Sequence, residues 1–94
     1  MRTVWNKRAK TDLYQNIGYI AERSPQNALK VLTEVLSFSE TLKDFPHKYP
    51  KEPIYDKENI RFAVIYSFKM VYRADPKQIT ILRLFHTKQN PNKI

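Results

Sequence analysis

Apolar residues recur at two different periods along this chain, and the change of period divides it. Ala9, Leu13, Ile17, Ile20 and Ala21 fall at helical spacing and predict one amphipathic helix. Ala28, Val31, Leu32, Val35, Leu36, Ser39 and Leu42 repeat that spacing and predict a second. Ser24-Pro25 separates them, because proline drives the preceding residue out of the helical region and suits the first helical position. Ser24 therefore reads as an N-cap. Gly18 lies inside the first helix at a cost of about 1 kcal/mol relative to alanine, which either a close contact with a neighbouring element or simple tolerance explains. A short β-prone run, Arg2 to Asn6, precedes both helices. Phe45 to Asn59 holds Pro46, Pro50 and Pro53 and reads as a plain connecting loop.

Beyond that loop the spacing becomes strand-like, over Ile60–Ile65, Phe68–Arg73 and Ile79–Phe85. The last two runs are joined by Asp75-Pro76-Lys77-Gln78, with aspartate and proline where a type I turn favours them. The order β-α-α-β-β-β predicts one α+β domain over residues 1–94. A small, mostly antiparallel sheet carries a helical hairpin on one face, and the N-terminal strand lies beside one of the later three. Alternation turns Phe68, Met70 and Tyr72 towards the core. It turns Lys69, Val71 and Arg73 towards an open face, where Arg61 of the neighbouring strand joins them.

Charge sharpens this picture. Between Asn59 and Ile94 there are seven cations and one anion, Asp75, so this segment holds +6 of the chain's +8. A sheet so charged favours a phosphate-rich or acidic partner. Other classes fall away. There is no cysteine for a disulfide or thiolate site, one glycine cannot make a phosphate loop, and two distant histidines give no metal spacing. No cofactor or metal is expected. The N-terminus lacks the apolar segment of a secretory signal, and no run approaches the ~20 apolar residues of a membrane span. A soluble, cytoplasmic protein is expected. What remains is phosphate chemistry or phosphate binding. RNA cleavage needs a base for the 2′-hydroxyl, positive charge at the phosphate and an acid for the leaving oxygen. His86, with Lys88 and Gln89 close behind it, and the strand cations supply these groups. The same residues serve equally well to hold a nucleic-acid backbone.

Several segments carry a family resemblance. They are Trp5, Ala9 and Asp12-Leu13, then IGYIAERSP (Ile17–Pro25), Ala28, Asp44-Phe45-Pro46, IRF (Ile60–Phe62), FKMVYR (Phe68–Arg73) and ITILRLFHTKQNP (Ile79–Pro91). In this order and spacing the chain resembles the RelE/ParE-type toxins of bacterial toxin–antitoxin modules over nearly its whole length. The resemblance implies a toxin neutralised by a cognate antitoxin, and one of two activities. RelE-like members cut ribosome-bound mRNA; ParE-like members inhibit DNA gyrase without acting as nucleases. In the RelE-like pattern the catalytic arginine of the third strand falls on Lys69. The cation of the preceding strand falls on Arg61, and the arginine after the last strand falls on Lys88. His86 matches a histidine that some relatives place at the end of that strand. The C-terminal tyrosine of RelE-like enzymes has no counterpart after Tyr72. His86 and the cations form a reactive set, which favours a metal-independent endoribonuclease using Arg61, Lys69, His86 and Lys88, with Arg73, Arg83 and Gln89 binding nucleic acid. The alternative is a gyrase inhibitor.

Overall fold

The computed structural model describes residues 1–87. Strand β1 (Arg2–Trp5) leads into helix α1 (Lys7–Ala21), then α2 (Pro25–Thr41), β2 (Ile60–Ile65), β3 (Phe68–Asp75) and β4 (Gln78–His86). The sheet order is β1-β4-β3-β2. β2, β3 and β4 form an antiparallel meander, and β1 joins β4 in parallel, so the sheet is mixed. The expected order and layering hold. The first strand stops one residue earlier than expected because Asn6 caps α1: its side chain accepts from the Ala9 amide at 2.8 Å. Ser24 caps α2 in the same way, through the Asn27 amide at 3.2 Å. Gly18 makes no close contact; a Cβ there would meet nothing within 4 Å.

The main core lies between the helices and one face of the sheet. Ala9 and Leu13 of α1 and Val31 and Val35 of α2 pack against Ala63, Phe68, Met70, Tyr72, Ile79, Ile81 and Leu84. Burying each large apolar side chain of this set stabilises the fold by about 1.5–3 kcal/mol. The opposite face is not bare. Ile60, Val71 and Phe85 form a second cluster, against which Tyr55, Phe62 and Leu82 pack.

Tyr55 belongs to the proline-rich loop, which is more than a connection. The Phe62 amide donates to the Pro50 carbonyl (3.1 Å) and the Glu52 amide to the Ile60 carbonyl (2.9 Å), so the loop runs along the outer edge of β2. That edge is thereby covered against pairing with another chain. Tyr72 reaches from β3 to donate its hydroxyl to the Pro46 carbonyl at 2.7 Å. Burial pushes the Tyr72 phenol up to about 12, with nearby Arg61 opposing part of the rise. Between the ordinary value near 10 and the folded value, the unfolded chain loses this proton and the native chain keeps it. Stability contributed by neutral Tyr72 is therefore full below pH 10 and declines as pH rises through that window, by about 2–3 kcal/mol. Tyr72→Phe is expected to flatten this part of the alkaline loss, measured as urea stability against pH. Equal slopes in the two proteins would mean that Tyr72 does not titrate with folding.

Candidate functional site

Strand geometry separates the predicted catalytic residues. Lys69 pairs across β2–β3 with Val64, and across β3–β4 with Phe85, on the face away from the helices. Arg61 pairs with Tyr72, a residue of the helix-side core, and so projects to the other face. The expectation that Arg61 joins Lys69 and Arg73 is thus corrected: one residue of strand offset reverses the side. His86 pairs with Phe68 and also lies on the helix side. Arg61 and His86 share a face but stand opposite residues four apart on β3, about 13 Å along the strand at ~3.3 Å per residue. A single phosphate cannot be held by all three.

Each of the four cations on β2, β3 and β4 also faces a carboxylate. Arg61 binds Glu58 through its guanidinium, and donates to the Glu58 carbonyl (3.0 Å) and the Tyr49 carbonyl (2.9 Å), tying the loop to β2. Lys69 Nζ lies 2.5 Å from Glu52 Oε1 and 4.5 Å from the Phe62 ring centre. Glu52 is fully buried, and its second oxygen accepts from the Ile54 (2.7 Å) and Tyr55 (3.2 Å) amides. Arg73 Nε donates to Asp75 at 2.9 Å, in a half-exposed pair on one strand. Arg83 grips Asp12 of α1 with Nε at 2.7 Å and Nη2 at 3.2 Å. Hydrogen bonding to Asp12 raises the Arg83 pKa further, against the effect of burial. Lys88 and Gln89 lie outside the described residues. The open basic face expected from the sequence is therefore a partly roofed face whose cations are neutralised locally.

His86 stands at one end of the sheet, edge-on to Phe68 with ring centres 5.9 Å apart. It lines a cleft of about 240 Å³ with Phe68, Ile20 and Val31 at its base and Tyr19 and Tyr66 at its lips. Sequence reasoning missed both tyrosines. It also missed Glu52 and Asp12, the anions that occupy Lys69 and Arg83. Among the described residues no three histidines, cysteines or carboxylates gather as a metal site. No helix among them is long and apolar enough to cross a membrane.

Comparison with known proteins adds the family. A family model of the ParE toxin of the type II toxin–antitoxin system parDE matches residues 3–91. Among solved structures, a chain of the chromosomal ParDE toxin–antitoxin system of P. aeruginosa superposes with a TM-score of 0.76 at 21% identity, covering 92% of this chain and 95% of that one. A chain of the toxin–antitoxin complex RelBE2 of Mycobacterium tuberculosis superposes with a TM-score of 0.62 at 20% identity, covering 90% and 88%. At these identities the structural likeness speaks to the fold. No curated protein matches the sequence.

Proposed function

This chain belongs to the family of ParE toxins of type II toxin–antitoxin systems, and from that premise we propose that it inhibits DNA gyrase as a binding protein and cleaves no RNA. The observation that supports this is the dispersal of the nuclease candidates. Arg61 and Lys69 project from opposite faces, and both are engaged by Glu58 and Glu52. Metal-free RNA cleavage requires a base, an acid and phosphate-neutralising charge around one reacting phosphorus. Here the cations hold the proline-rich loop to the sheet. Lysine at position 69 also lacks the bidentate fork by which an arginine grips a phosphate.

A cognate antitoxin is the second partner under this reading. Both solved relatives come from toxin–antitoxin systems, and the excess of +8 suits an acidic neutralising segment. The site of action is the cytoplasm, where gyrase works on DNA. Purified toxin is expected to inhibit gyrase supercoiling at stoichiometric concentrations and to leave mRNA intact on programmed ribosomes. Ribosome-dependent cleavage with unaffected supercoiling would overturn the proposal.

A further inference from the structure

The cleft beside His86 has features that neither the family nor the gyrase reading assigns. Its upper lip is Tyr66, the first residue of the two-residue turn between β2 and β3, closed by the Ile65–Phe68 pair. Tyr66 has φ of +55°. That left-handed conformation suits glycine, asparagine or aspartate and is strained for a large side chain, by about 1–2 kcal/mol. A tyrosine at this place keeps its ring at the lip despite that strain, and the ring is half exposed, at 49%. Observed strain of this kind points to a use for the side chain.

Tyr19, 61% exposed and near the end of α1, lines the same cleft. Arg23 lies over its ring at 5.3 Å from the centre, and Arg23 Nη2 donates to the Tyr19 hydroxyl at 3.2 Å. The base is apolar, from Ile20, Val31 and Phe68, with the His86 ring at its edge. Two aromatic lips over an apolar base take a flat ring. A guanidinium beside one lip takes an anion attached to that ring. Flat ring and phosphate together are the chemistry of one nucleotide unit, and the protein's net charge of +8 favours a polyanionic ligand.

We propose that the cleft between Tyr19 and Tyr66 binds a single unstacked base of single-stranded nucleic acid, with Arg23 beside its phosphate. A duplex keeps its bases stacked and paired, and cannot present one to the cleft. DNA and RNA share the ring and the phosphate, so the source of the strand is decided by measurement. The proposal stands apart from the gyrase reading and holds or fails independently of supercoiling.

The test is fluorescence anisotropy of the purified chain with labelled oligomers of equal length: oligo-dT, oligo-U, an abasic deoxyribose-phosphate strand and a duplex. At least one single strand is expected to bind several-fold more tightly than both the duplex and the abasic strand, and the tighter of the two names the source. Base–aromatic stacking is worth about 1–3 kcal/mol per base, so Tyr19→Ala and Tyr66→Asn are each expected to weaken that binding about 5-fold or more. Tyr66→Phe keeps the ring and is expected to bind like the parent. Tyr66→Asn also relaxes the turn, so its melting temperature is expected to hold or rise while binding falls. Equal affinity for abasic and base-bearing strands, preference for duplex, or unchanged binding in Tyr19→Ala and a folded Tyr66→Asn would each overturn the proposal.

Discussion

Glu52→Leu is expected to lower the melting temperature by at least about 12 °C. Glu52 is fully buried, one oxygen meeting Lys69 and the other meeting the Ile54 and Tyr55 amides. Leucine fills similar space but accepts nothing. Two loop amides and a mostly buried ammonium, its side chain 19% exposed, then lose their acceptor. Breaking a buried pair from one side destabilises by about 3–5 kcal/mol, and each kcal/mol moves the midpoint of a domain this size by about 4–8 °C. Glu52→Gln separates the parts of this effect. It keeps an oxygen for the amides and loses only the charge, so it is expected to fall between leucine and the parent. Adding Lys69→Met to Glu52→Gln removes the orphaned ammonium and is expected to recover much of the loss. A shift below about 4 °C for Glu52→Leu would mean that water reaches the pair and that the loop is held by other contacts.

The same pair explains why the sequence misled about charge. Helix stripes, the Ser24 cap and the meander were legible because they rest on local rules, such as Ser24-Pro25 or the spacing of Ala9, Leu13 and Ile17. The Asn6 cap instead reads from the sequence as the end of β1. The side of the sheet taken by Arg61 was not, since it follows from the register that pairs Arg61 with Tyr72, and no turn signal fixed that register. Tyr66-Ser67 lacks the Asn-Gly pattern that would have set it. Nor does a segment sum of +6 see anions supplied by other elements. Asp12 lies 71 residues before Arg83, and Glu52 lies 17 before Lys69. The mean charge of the chain remains informative about its partners. Which cations face those partners is decided by tertiary pairing, and the four strand cations assigned to phosphate each have a carboxylate partner within the fold.

Asp12 is the second residue on which a large effect is expected, and its role begins with a gap in the sheet. β1 covers the edge of β4 only as far as Trp5 beside Ile81, after which Asn6 donates to the Ile81 carbonyl and the chain turns into α1. Further along, at Leu84, that edge is covered by side chains from the helix. Asp12 accepts the Leu84 amide at 2.9 Å, and Asn16, one turn later on the same stripe, donates to the Leu84 carbonyl at 3.4 Å. Asp12 also holds Arg83, with both side chains only about an eighth exposed, at 12% and 13%. Asp12→Ala removes the acceptor of a strand amide and the partner of a nearly buried guanidinium together, and is expected to cost about 3–5 kcal/mol in urea unfolding. Asp12→Asn keeps one oxygen for the Leu84 amide and is expected to lose less. Arg83→Met takes the counter-ion from a nearly buried carboxylate but leaves Asp12 on the Leu84 amide. It is expected to lose stability too, though less than Asp12→Ala, which also strips that amide of its acceptor. Hydrogen exchange at Leu84 distinguishes the two duties of Asp12. Exchange is expected to accelerate in Asp12→Ala beyond what the global stability loss predicts, and to track global stability in Arg83→Met. If Asp12→Ala and Arg83→Met lose the same stability and leave the Leu84 amide equally protected, the carboxylate acts only as a counter-ion and the edge of β4 is closed by the helix backbone alone.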